Sequence, residues 1–225
     1  MASEELIKHQ EEIAKKRRSF AVARAIIQRG RNAGIPERYI RIREEDFGSL
    51  LCPKFHRDPK KFAEMVYKRP QCLFNNPFIV IDGGTPTNRK KAGYAILFRM
   101  IACDKNGLSE DCGQLASRFQ TFVSDGENRN ELVSKVQQES VLLLREFRKG
   151  IFNIHLPDSA NFFDQLLGFR EDYLKPTIIT FCDPLECGVV NSGNAIKDNT
   201  CGSYLSLLSH ADVLKSENIF RIRIK

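Results

Sequence analysis

Residues 82–93, DGGTPTNRKKAG, follow the apolar run Phe78-Ile79-Val80-Ile81 and precede the helix-like stretch Tyr94-Ala95-Ile96-Leu97-Phe98-Arg99-Met100-Ile101. A turn that joins a buried strand to a helix is where backbone amides and the helix dipole can hold phosphate. Against the pattern G-x-x-x-x-G-K-[ST], Gly84 takes the first position and Lys90 the lysine. Arg89 then stands for the second glycine, Lys91 for the hydroxyl residue, and Asn88 lies between Thr87 and Arg89. A glycine at Arg89 would let the backbone wrap phosphates, and a side chain there intrudes on that approach. Lys91 has no hydroxyl to offer Mg²⁺.

Outward from this loop the chain reads as strands alternating with helices. Strands are expected at 77–82, 121–123, 141–144, 177–180 and 219–224. Helices are expected from Asp58 to Tyr67, Arg89 to Cys103, Ser109 to Phe119, Arg129 to Gln138, Ser159 to Phe169 and around Ser203 to Leu208. Asp58-Pro59 is an N-cap followed by proline at the first helical position. Ile35 to Pro53 reads as irregular, and Asp104 to Gly107 as a turn. The alternation implies an α/β fold, a mainly parallel sheet with helices on both faces.

A P-loop NTPase needs more than its loop: an acidic residue ending a second apolar strand, a neighbouring carboxylate and a polar sensor after a later strand. The run Val141-Leu142-Leu143-Leu144 ends in Arg145-Glu146, so a cation stands where the metal's carboxylate belongs and Glu146 survives as a remnant. The strand in KPTIIT ends in Phe181-Cys182, where a sensor Asn or Thr is expected.

These segments, with RNAGIPERY before the loop, SVLLLREF, and FFDQLLGFREDYLKPTIIT, resemble the bacterial helicase-loader branch of the AAA+ P-loop ATPases, the DnaC and IstB-like proteins, over roughly residues 20–225. The resemblance implies an AAA+ fold, a nucleotide between subunits of an oligomer, and work on DNA with a replicative helicase or a transposase. It also implies an arginine finger near Gly202-Ser203-Tyr204-Leu205, where Tyr204 holds the arginine's place. Three readings of the loop stay open: a chance match, a degenerate member that kept the fold and lost catalysis, and an active variant using Arg89, Lys90 and Lys91 as a metal-free cradle with Glu146 as base. The expectation carried forward is the second. It has no catalytic residue, no cofactor and no metal; ATP and Mg²⁺, held through Gly84, Asn88, Arg89, Lys90 and Lys91, enter only under the third.

The chain has 225 residues, 42% hydrophobic and 28% charged, enough for one sizeable α/β domain with an N-terminal extension. The division expected is a basic helical arm at 1–34 and the AAA+-like domain at 35–225. Its net charge of +7 suits a polyanionic partner when the cations cluster. Lys15, Lys16, Arg17, Arg18, Arg24, Arg29 and Arg31 cluster on the expected helix Glu4 to Arg31, which makes them the DNA-binding candidates; a solvated amphipathic helix is the bland alternative. The expected partners are DNA and a replicative helicase or related AAA+ ATPase, with self-association allowed; a pure protein-interaction module whose positive charge only keeps it soluble is the alternative. No apolar run reaches the ~20 residues of a membrane span, and the charged start MASEELIKHQEEIAKKRR is unlike a signal peptide. A cytoplasmic protein is expected.

Seven cysteines without a C-x-x-C pair are expected to be reduced and mostly buried core filler. His9, His56, His155 and His210 have no partner at catalytic spacing, and SDGEN at 124–128 is expected to be a turn. Arg221-Ile222-Arg223-Ile224-Lys225 alternates cation with aliphatic residue, which suits either an edge strand guarded against aggregation or DNA contact.

Overall fold

A computed structural model of the chain describes residues 2–121, 126–147, 157–181 and 219–225. Five strands, β1 (Phe78–Gly83), β2 (Gly107–Asp111), β3 (Val141–Phe147), β4 (Thr177–Phe181) and β5 (Ile219–Ile224), form one sheet in the order β2-β3-β4-β1-β5. Every pairing is parallel, with Ile79 opposite Ile178 and Phe220, and Leu143 opposite Ile178. A parallel sheet covered on both faces needs apolar residues on both sides of each central strand, which β1, β3 and β4 supply.

Alternation along the strands sorts these residues into two layers. Ile79, Ile81, Leu143, Ile178 and Ile222 face α5 (Pro86–Ala102), behind which lie α1 (Ala2–Asn32), α2 (Glu37–Ile40), α3 (Glu44–Leu50) and α4 (Pro59–Lys68). Val80, Leu142, Leu144 and Ile179 face α6 (Cys112–Thr121), α7 (Gly126–Gln138) and α8 (Pro157–Asp172). Full burial of each such side chain contributes about 1.5–3 kcal/mol. The end of α1 joins the first layer: Ala33 and Ile35 are buried, Ile26 and Ile27 pack against the core, and the Ala33 carbonyl accepts the Ser109 N–H at 2.8 Å.

The structure corrects several sequence expectations. Residues 107–111, read as the end of a turn and the start of a helix at Ser109, form the edge strand β2. Its segment GLSED is short and polar, and what holds it is pairing with β3 rather than its own propensity. The helix starts three residues later, with the Asp111 carboxylate accepting the Gln114 N–H. The stretch called irregular holds α2 and α3, the latter capped through Arg43 and Asp46. Thr121, expected in a strand, ends α6, and Gly126 to Asn128, expected in a turn, open α7. The helix expected from Arg89 begins at Pro86. Phe122, Val123, the helix expected at 203–208, Tyr204, Cys182, Cys187, Cys201, His155 and His210 lie outside the described residues.

Reduced thiols stand at Cys52, Cys72, Cys103 and Cys112, of which Cys112 is buried and Cys72 exposed. Among the described residues no helix is long and apolar enough to cross a membrane.

Candidate functional site

The carboxyl ends of parallel strands form the edge where α/β sheets bind ligands, and DGGTPTNRKKAG lies there. Gly83 (φ 75°) and Gly84 (φ 56°) adopt the left-handed conformation that glycine tolerates. They also press against β5: a Cβ on Gly83 would lie 2.6 Å from the Ile224 carbonyl oxygen. α5 then starts at once. The Thr85 hydroxyl caps it by accepting the Asn88 N–H at 3.2 Å, and Pro86 has no N–H to give. This local chemistry closes the turn early and consumes part of the donor set of the helix start.

The three successive cations diverge. Arg89 is buried and turns back into the loop, its Nη1 donating to the carbonyls of Gly83 and Gly84, each at 2.8 Å. Lys90 reaches the end of β3, where its Nζ lies 3.7 Å from the Glu146 carboxylate. Lys91 lies near α3, where it adds weakly to the pull of Arg43, the main cause that holds the Asp46 carboxyl below its ordinary value. Gly84, Asn88, Arg89 and Lys90 are thus gathered around one turn, and Lys91 stands apart.

Glu146 reaches Lys90 because β3 is irregular at its end. The pairing with β4 shifts between Leu144 and Phe147, and Glu146 takes φ 59°. The irregularity sends Phe147 into the α6–α8 core that regular alternation would have given to Glu146. Its N–H donates to the Thr180 hydroxyl at 3.0 Å. Arg145 leans the other way: its Nε donates to Ser109 Oγ at 3.0 Å, and its guanidinium lies 5.6 Å from the Tyr94 ring centroid. Arg145 and Lys90 thus take separate partners.

Sequence reasoning missed a second charged pair at this edge. Asp82, fully buried, is bound through Oδ2 by Arg221, whose Nε is 3.1 Å away, and Asp82 Oδ1 has no hydrogen-bond partner among the described residues. His56 sits beside it, its Nε2 accepting the Arg223 N–H at 3.1 Å. Burial pushes the His56 pKa down. The alternation of residues 221–225 was the available signal: Arg221 and Arg223 do lie on one face, with Ile222 and Ile224 buried on the other, and β5 is an edge strand. The segment 50–52 covers that edge, the Cys52 N–H donating to the Arg223 carbonyl at 2.9 Å. Among the described residues no group of three His, Cys, Asp or Glu side chains is placed to hold a metal ion.

All seven basic candidates of the N-terminal region lie on α1. Lys15, Arg17, Arg18 and Arg24 are exposed; Lys16 pairs with Glu12 at 3.1 Å, Arg29 with Asp104 at 2.6 Å, and Arg31 with Glu37 at 3.2 Å.

No protein-family model matches the sequence, and no curated protein does. Solved structures do match the fold. The DnaC helicase loader superposes with a TM-score of 0.54 at 18% identity, covering 84% of this chain and 100% of that one. AMPPCP-bound DnaA from Aquifex aeolicus gives 0.55 at 13% identity, covering 81% of this chain and 50% of that one. A DNA replication initiation factor gives 0.52 at 16%, covering 78% and 50%. The chain spans about half the length of the two initiator structures. The five-stranded parallel sheet, the strand order and these superpositions agree that the chain carries the AAA+ P-loop ATPase fold, the fold it shares with the DnaC helicase loader and with DnaA.

Proposed function

We infer that this chain works in DNA replication or transposition as a helicase-loader-like protein that does not hydrolyse ATP and acts through contacts with DNA and with a helicase or related AAA+ ATPase. The observation that carries the non-catalytic reading is Arg89. Its guanidinium occupies the turn as a donor to the Gly83 and Gly84 carbonyls, where a nucleotide would need open backbone amides. Mg-ATP does not fit these residues in the usual way. Lys91 carries no hydroxyl, Arg145 places a cation near the metal's position, and Lys90 already faces Glu146. Losing one such group commonly costs orders of magnitude in rate, so their joint loss leaves contacts as the function.

The replication setting rests on likeness to the DnaC helicase loader and to DnaA, a structure of which holds AMPPCP and single-stranded DNA. Lys15, Lys16, Arg17 and Arg18, in the outer half of α1, are the group best placed to meet phosphate.

Calorimetry with millimolar ATP and Mg²⁺ tests the non-catalytic reading. No heat and no rise in melting temperature are expected, because only a ligand that binds the folded state stabilises it. Clear binding would overturn it and reopen the metal-free cradle of Arg89, Lys90 and Lys91. For DNA, neutralising Lys15 to Arg18 is expected to lower affinity and flatten its salt dependence together; an unchanged slope would remove DNA from the proposal.

A further inference from the structure

The last turns of α1 and the short helix α2 enclose a cleft of about 630 Å³. Its floor is aliphatic, from Ile27 and Ile40, and its walls carry Arg24, Arg31 and Arg41 against one carboxylate, Glu37. Glu37 lies between two of these arginines, 3.2 Å from Arg31 and 3.2 Å from Arg41. A carboxylate therefore already marks the place where the cleft accepts negative charge, and three guanidiniums against this one carboxylate leave two positive charges in excess.

The surface continues along α1. Phe20, Arg24, Ile27 and Arg31 stand at i, i+4, i+7 and i+11, one face of the helix. Phe20 is 70% exposed, an anchor about 10 Å from Ile27 along the axis. Apolar and basic side chains alternate along this track, which is complementary to a helix that alternates apolar and acidic ones.

We propose that this face docks an acidic amphipathic helix of a partner protein, one apolar side chain seated on Ile27 and Ile40, a second against Phe20, and its carboxylates on Arg24, Arg31 and Arg41. The occupant follows from the floor. A cleft for nucleic acid would present an aromatic plane to a base, whereas among the described residues no aromatic side chain lines this one. Aliphatic floor with cationic rim is the helix-in-groove mode of peptide recognition. The proposal stands apart from the nucleotide reading, and it withdraws Arg24 and Arg31 from the DNA-contacting set.

The test is fluorescence anisotropy on the full chain with a labelled helical peptide whose two leucines lie seven residues apart and are flanked by glutamates. Arg24→Glu and Phe20→Ser, both at exposed positions, are expected to weaken binding about tenfold, or about 1.4 kcal/mol, with no change in melting temperature. Glu37→Gln is expected to tighten it by releasing Arg31 and Arg41. The same peptide with serine in place of leucine is expected to bind at least tenfold more weakly. Equal affinity for the serine peptide would reduce the surface to charge alone and overturn the proposal. So would displacement of the peptide by a single-stranded oligonucleotide whose own binding depends on Arg24 and Phe20 in the same way.

Discussion

Arg89 and Arg170 are both buried guanidiniums that donate to backbone carbonyls, yet they sit at opposite edges of the same sheet. Arg170, at the end of α8, lies at the amino edge. Its Nε donates to Thr177 Oγ1 at 2.7 Å, and its Nη groups reach the carbonyls of Val136 at 3.0 Å, Glu139 at 2.9 Å and Pro176 at 2.9 Å. Those of Val136 and Gln137 belong to the last turn of α7, where carbonyls have no partner within the helix; Lys175 adds a donor to Gln137 at 3.0 Å. Arg170 thereby ties α7, α8 and the start of β4 together. Burial lowers its pKa to about 10, still well above neutrality, so it stays charged. Arg89 does the same chemistry with two carbonyls at the carboxyl edge, where α/β sheets hold ligands. The same side chain is architecture at one edge and, in our reading, a closed door at the other.

Arg170→Met leaves the buried carbonyls of Val136 and Pro176, the partly buried Glu139 carbonyl and the Thr177 hydroxyl without this donor, so a loss of about 3–4 kcal/mol is expected. Thermal unfolding should register it as a fall of about 10 °C. A fall of only a degree or two would mean that water replaces the guanidinium and that the amino edge is not built on it. Gly83→Ala combines a positive φ with a Cβ 2.6 Å from the Ile224 carbonyl oxygen; a cost of about 2–3 kcal/mol in denaturant unfolding is expected. Arg89→Ala leaves two carbonyls without their donor in a half-exposed turn and is expected to cost about 1–2 kcal/mol. If Arg89→Ala instead stabilises the protein, the arginine is strained there and is kept for something other than closing the loop. Lys90→Met removes a partly exposed pair and is expected to change stability by less than about 1 kcal/mol.

A smaller effect concerns pH. Burial depresses the His56 pKa, opposed in part by the Arg223 N–H contact and by Asp82. A histidine depressed on folding contributes stability that is present above its unfolded pKa of about 6.5 and is lost as pH falls through the lower folded value. Melting temperature measured across that acid window should therefore drop, and His56→Gln should flatten this part of the profile.

The parallel sheet was legible because β1, β3 and β4 are apolar on both faces, a pattern few other elements share. The Asp58-Pro59 start of α4 was legible because capping is local chemistry, and the structure places the Asp58 carboxylate on the Lys61 N–H at 3.0 Å. β2 was not, because an edge strand reading GLSED is held by its neighbour and carries no strand signal of its own. Nor was the start of α5: the motif directed attention to Lys90, while Thr85 and Pro86, an equally plain cap and proline, set the boundary.

The sequence by itself determined which residues alternate between core and surface and which residue types occupy the loop after β1, since both depend on neighbours a few positions apart. The tertiary structure decided where the charges go. Asp82 meets Arg221 because β5 pairs with β1, and Lys90 meets Glu146 because α5 packs over β3. Such pairings join residues far apart in the chain, and their strength depends on burial and distance that only the folded sheet sets.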